Sequence, residues 1–215
     1  ARYPVVYATV GVHPNSTAAL TGDWIDALRQ TARSNPVVAV GEIGLDYYIE
    51  EPDKDRQQAV LEAQLALADE FELPVLLHVR RAHAPMIATL KHHKLKRTGI
   101  VHAFSGSFEE AREYIRLGYK LGLGGGGTWP QAQRMHRVLQ QLPLDSRVLE
   151  TDAPDITPHS HACQRNSPEF LPDISAVLAK DSFSVINGYQ SRIDATCKLT
   201  DEERDRAIKA ITRLF

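Results

Sequence analysis

The feature that most constrains this chain is a unit that recurs along it. A short run of apolar, often β-branched residues is closed by a histidine or a carboxylate, and a helical stretch follows. Val37-Val38-Ala39-Val40-Gly41-Glu42 is the clearest copy. Its valines suit a pleated surface covered on both faces, so the run reads as a buried strand. Gly41 permits another backbone to come close, and Glu42 stands where the strand leaves its sheet. A buried carboxylate at that point costs several kcal/mol unless something positive neutralises it. Val5 to Val10 with Gly11-Val12-His13-Pro14, Pro74-Val75-Leu76-Leu77-His78, Gly99-Ile100-Val101-His102 and Arg147-Val148-Leu149-Glu150-Thr151-Asp152 repeat the arrangement. Tyr119 to Leu123 adds a further apolar strand, running into Gly124-Gly125-Gly126-Gly127.

Between these runs lie amphipathic patterns. Trp24, Ile25 and Leu28 space a helix over Asp23 to Arg33, with Trp24 in the core. Asp53 caps a long helix to Phe71, with Ala59, Val60, Ala63, Leu67 and Phe71 along one side. Helices are also expected near Pro85 to His93, from the Ser107/Glu110 capping box to Leu117, and over Gln131 to Gln141. Strand and helix in alternation imply a parallel sheet. Polar groups stand at the C-terminal ends of strands spread along the whole chain. A barrel gathers all such ends at one mouth, whereas an open sheet gathers them mainly at its switch point. A TIM-type (β/α) barrel is therefore the expected α/β fold, in a single domain over residues 1–215.

His13, Glu42, His78, His102 and Asp152 are the chemistry-bearing residues. Imidazole and carboxylate are ligands of Zn²⁺, Mn²⁺ and related ions. Several of them at one mouth can hold two ions, which activate a water and stabilise both the attacking and the leaving oxygen of a hydrolysis. Each residue also has a plainer reading: a histidine hydrogen-bonded within the structure, a helix-start carboxylate for Glu42, a turn cap at Ala153-Pro154 for Asp152. The formal charge of −2 gives no global basic signal for long duplexes. Two cysteines, Cys163 and Cys197, lack metal spacing and fit a reducing compartment. No apolar run approaches a membrane span. The expectation is a cytoplasmic protein with no membrane contact and no obligate protein partner.

Gly11-Val12-His13-Pro14, Gly41-Glu42-Ile43-Gly44-Leu45-Asp46-Tyr47-Tyr48, Leu77-His78-Val79-Arg80, Val101-His102-Ala103-Phe104-Ser105-Gly106 and Leu149-Glu150-Thr151-Asp152-Ala153-Pro154 resemble the TatD-like metal-dependent hydrolases. The resemblance runs from about Val5 to about Lys180. It implies a barrel of the amidohydrolase type and two divalent ions, Zn, Mn or Mg. It implies deoxyribonuclease activity, often as a 3′-exonuclease on single-stranded or damaged DNA. By the same resemblance Glu42 bridges the ions, and His78 and His102 hold one of them. Asp152 holds the other and orients or deprotonates the attacking water, which makes Asp152 and Glu42 the catalytic pair.

The family also opens on a strand with Asp-x-His-x-His, supplying two histidines to the first ion, and these 215 residues contain no such motif. A barrel without its first one or two strands, with an incomplete first metal site, is the corresponding expectation. The barrel part is expected over about 1–180. Residues 181–215 form an atypical C-terminal segment, foreign to the family between about Asp181 and Lys198.

Arg80 and Ser105, just past metal histidines, are placed to meet a substrate phosphate. A salt bridge is the alternative for Arg80. His13 is a further substrate contact, or else a structural hydrogen bond. Gly124 to Gly127 permits either a phosphate cradle or a tight turn, and Trp129 can stack on a base. Two further readings stand beside the nuclease: an ester or amide hydrolase, such as a deacylase of mischarged tRNA, and a non-catalytic remnant that only binds.

Overall fold

The computed structural model describes residues 6–180, and the expectations for residues 181–215 lie outside them. The chain divides into two compact units, one ending at Gly122 and the other beginning at Leu123. In the first unit five strands pair in parallel, in the order of the sequence. They are β1 (Ala8–Val10), β2 (Val37–Asp46), β3 (Val75–Arg80), β4 (Gly99–Val101) and β5 (Lys120–Leu123). The helices α1 (Trp24–Ser34), α2 (Lys54–Glu70), α3 (His83–His93) and α4 (Phe108–Arg116) join successive strands, as parallel pairing demands.

The local signals that start these helices are present as side-chain bonds. Asp53 accepts from the Arg56 N–H at 3.0 Å. At α4 the Ser107 hydroxyl accepts from the Glu110 N–H at 3.2 Å, and the Glu110 carboxylate accepts from the Ser107 N–H at 2.6 Å. Such reciprocal caps satisfy donors that a helix start leaves open. α3 ends at Lys94 in the left-handed region, and Lys91 and Lys96 pair with Glu113 and Glu72. The basic run Lys91 to Arg97 is a solvated, ion-paired helix end.

β3 shows how the sheet sorts its residues. Val75, Leu77 and Val79 are buried, while Leu76 and His78 are half-buried and Arg80 is exposed, the period-2 alternation of a strand. The core gathers Ile43 and Leu45 of β2, Leu61, Leu65 and Ala68 of α2, Met86 and Leu90 of α3, and Ala111 and Tyr114 of α4.

Three details differ from the sequence expectation. β2 does not end near Glu42. It continues four residues further, to Asp46, and its register against β3 breaks between Gly41 and Ile43. Glu42 is the extra residue at that break, a bulge of the kind that re-aims a side chain. The buried side of α2 holds Val60 and Leu67 as expected but also Gln57, Leu61, Gln64, Leu65 and Ala68, and Ala59 is exposed. Trp24 is half-buried.

In the second unit the Glu150 N–H, just past β6 (Arg147–Leu149), donates to the Leu123 carbonyl at 3.0 Å. α5 (Gln133–Leu139) precedes β6. The four glycines after β5 form a tight turn here: a Cβ on Gly125 would lie 2.0 Å from the Ile156 carbonyl oxygen. No described helix is long and apolar enough to cross a membrane.

Candidate metal centre

Two glycines allow β2 and β3 to carry polar groups into contact. A Cβ at Gly41 would sit 2.5 Å from Leu76 Cβ, and one at Gly44 would sit 1.9 Å from the His78 carbonyl oxygen. Gly44 is the register partner of His78. Opposite a residue without a side chain, the imidazole has room to lie between Glu42 and Asp46. His78 Nδ1 is 2.9 Å from Glu42 Oε1, and His78 Nε2 is 3.0 Å from Asp46 Oδ2.

His13 reaches the same cluster from outside the strands. It caps the short 3₁₀ turn Pro14–Ala19, and its Nδ1 accepts from the Asn15 N–H at 3.2 Å. That bond leaves the proton of the neutral ring on Nε2, which lies 3.1 Å from His78 Nδ1 and 3.8 Å from Glu42 Oε1. His13, Glu42 and His78 each offer one ligand atom, all within 4.8 Å of one another.

Electrostatics in the cluster favour an ionised Glu42 and a neutral His13. Burial raises the Glu42 carboxyl, but its contact with His78 and the positive charge available at His102, His78 and His13 outweigh it, and the net direction is down. Burial and the neighbouring His78 lower the His13 imidazole, against the opposing pull of Glu42 and Asp46. A carboxylate and imidazole nitrogens converging at these distances form a donor set that fits a divalent ion.

The remaining sequence-derived residues stand as follows. His102 follows β4, its N–H donating to the Leu77 carbonyl at 2.9 Å, and its charge is felt at Glu42 and His13. It is not a member of the close group formed by His13, Glu42 and His78. Arg80 ends β3 with its guanidinium 3.8 Å from the centroid of the half-exposed Tyr48 ring. Ser105 is exposed, just after the buried Phe104. In the second unit Asp152 sits three residues past β6, half-buried, at φ +57° in the left-handed region, and its carbonyl accepts from the Asp155 N–H at 2.7 Å. Trp129 donates to the Thr157 carbonyl at 3.0 Å and stands edge-on to His159.

Sequence reasoning missed the supports of this cluster. Gln57 and Gln64, two turns apart on the buried side of α2, each clamp one backbone residue at both of its polar groups. Gln57 accepts from the Asp46 N–H at 2.8 Å and donates to the Asp46 carbonyl at 3.0 Å. Gln64 accepts from the Val12 N–H at 2.6 Å and donates to the Val12 carbonyl at 3.2 Å. α2 thus fixes the residue before His13 and the residue that ends β2. A polar pair seven apart inside an apolar stripe was the available signal.

Comparison with known proteins gives a consistent picture. The sequence model of a family described as TatD related DNase matches residues 1–186. An Escherichia coli (strain K12) protein named as the uncharacterized metal-dependent hydrolase YjjV is 44% identical over 181 residues, covering 83% of this chain and 70% of its own length. The Klebsiella pneumoniae (strain 342) protein named 3′-5′ ssDNA/RNA exonuclease TatD is 36% identical over 187 residues, covering 83% and 70%. The crystal structure of the Escherichia coli TatD homologue YJJV superposes with a TM-score of 0.79 at 40% identity, over 87% of this chain and 76% of that one.

Proposed function

The chain belongs to the TatD-related family of metal-dependent hydrolases, with the α/β fold of the TIM-barrel class, and from that premise we propose that it is a divalent-metal-dependent nuclease. Its substrate is single-stranded nucleic acid, DNA foremost, digested from the 3′ end. The observation that carries this reading is the meeting of Glu42 and His78, with His78 Nδ1 2.9 Å from Glu42 Oε1 and His13 Nε2 a further 3.1 Å from that nitrogen. When bound, a pair of Zn, Mn or Mg ions supplies Lewis acidity at phosphorus and lowers the cost of the attacking nucleophile. The name of the Klebsiella pneumoniae relative supports the substrate class.

Within that reading Glu42, His78 and His102 hold metal. The neutral His13 ring presents Nε2–H as a donor for a non-bridging phosphoryl oxygen. Arg80 and Ser105, both exposed, meet flanking phosphates. Asp152 completes the metal set and orients or deprotonates the attacking water, an assignment supported by the Leu149 to Pro154 resemblance. A cytoplasmic location suits both a nucleic-acid substrate and a chain with only two cysteines.

Single-stranded DNA and RNA oligonucleotides, labelled at either end, test the proposal. With Mn²⁺ the 5′-labelled strand should shorten stepwise, chelation should stop it, and Glu42→Gln should slow it by about 100-fold or more. Absence of metal-dependent shortening of either polymer, together with hydrolysis of an aminoacyl ester, would replace this reading with the deacylase one.

A further inference from the structure

His78 is held at both ring nitrogens, and the group on its second nitrogen has no role in the assignment above. We propose that Asp46 is the positioning residue of the metal centre: its carboxylate dictates which nitrogen of His78 carries the proton and so presents the other, as a lone pair, beside Glu42. The inference rests on Glu42 and His78 holding metal. Asp46 Oδ2 lies 3.0 Å from His78 Nε2, and the aspartate side chain is 1% exposed. An ionised carboxylate only accepts hydrogen bonds, so Nε2 donates, and in the neutral ring Nδ1 is left unprotonated. That nitrogen stands 2.9 Å from Glu42 Oε1. In the metal-free chain the His13 Nε2–H, 3.1 Å away, faces that lone pair, and a cation bound there would take its place. A carboxylate behind the far nitrogen is also what a metal-binding histidine needs to hold its tautomer and raise its basicity.

Asp46 is itself prevented from turning. Its other oxygen accepts from the Tyr48 N–H at 2.9 Å, and both polar groups of its backbone are taken by Gln57. Both carboxylate oxygens therefore face fixed donors, which a carboxamide cannot match. In Asp46→Asn the single oxygen stays with the Tyr48 N–H and the amide group turns to His78, where it donates to Nε2. The proton then moves to Nδ1 and points at Glu42.

The test uses the whole 215-residue chain and does not depend on hydrolysis. Long-range ¹H–¹⁵N correlation spectra of ¹⁵N-histidine-labelled, metal-free protein report the tautomer, with His78→Gln assigning the signal. Mn²⁺ titration by calorimetry reports affinity. Wild type should show Nε2–H at His78, Asp46→Asn the reversed tautomer, and Asp46→Ala no single tautomer. Both variants should lose about 10- to 100-fold in Mn²⁺ affinity. Variants that retain the wild-type tautomer and affinity would overturn the proposal. Failure of wild type to bind any ion would instead sink the metal centre, while the metal-free spectra still decide what Asp46 does to His78.

Discussion

Gln57→Leu should destabilise the first unit out of proportion to the size of the change. Leucine has nearly the same volume, so packing alone predicts little. But Gln57 is 1% exposed, and its carboxamide serves both the N–H and the carbonyl of Asp46, a residue with no exposed surface. The substitution orphans both groups where water cannot reach them, at about 1–3 kcal/mol each. Burying leucine offsets this by about 1.5–3 kcal/mol, which leaves a net loss on the order of 2 kcal/mol. Gln64→Leu is the matched control. It breaks the same pair of bonds at Val12, which is only half-buried, so the freed groups turn to water and the net loss stays within about 1 kcal/mol. Urea unfolding followed by far-ultraviolet circular dichroism measures both, given an unchanged slope. Equal losses in the two variants, or a gain in Gln57→Leu, would refute the argument that satisfied backbone groups at Asp46 are what this glutamine provides.

Other outcomes follow from the same structure. Gly44→Ala, whose Cβ would lie 1.9 Å from the His78 carbonyl oxygen, must separate β2 from β3. It should cost at least about 1–3 kcal/mol and weaken Mn²⁺ binding as His78 moves from Glu42; an unchanged urea midpoint would contradict this. Burial raises the phenols of Tyr114 and Tyr119 well above their ordinary value of 10. Unfolded chains lose these protons first, so the stability they contribute is intact below pH 10 and drains away above it. Phenolate absorbance should show the two titrating only as the protein unfolds. At the acid end both Glu42 and His13 sit below their ordinary values of 4.5 and 6.5. The unfolded chain then binds more protons, so metal-free protein should lose stability as pH falls from 6.5 through the folded value of Glu42. A flat urea midpoint over that window would count against the described cluster.

Much of the fold was legible because it is written locally. The Ser107/Glu110 box and the Asp53 cap are short-range contacts between residues three apart, and the structure makes both. The runs ending at His78 and His102 announce themselves by β-branched and apolar content. What escaped the sequence depends on neighbours far along the chain. The extension of β2 past Glu42 comes from a register break against β3, which no property of Val37 to Asp46 alone reveals. The inward face of α2 was only partly placed, with Val60 and Leu67 found and Gln57 and Gln64 missed, because buried glutamines look like surface residues until their partners, Asp46 and Val12, are known. His13 was expected directly at a strand end. It reaches Glu42 and His78 from a 3₁₀ turn whose path is set by tertiary packing. Asp46 lay inside a quoted motif, four residues after Glu42, yet its carboxylate gained meaning only once the His78 ring lay between the two.

The most direct measurement is metal content. The purified chain, equilibrated with Mn²⁺ or Zn²⁺ and freed of excess, is compared by elemental analysis with Glu42→Gln and His78→Ala, all three shown to be folded. The account predicts at least one ion per wild-type chain and its loss in both variants. Equal metal in all three, or none in the folded wild type, would contradict it.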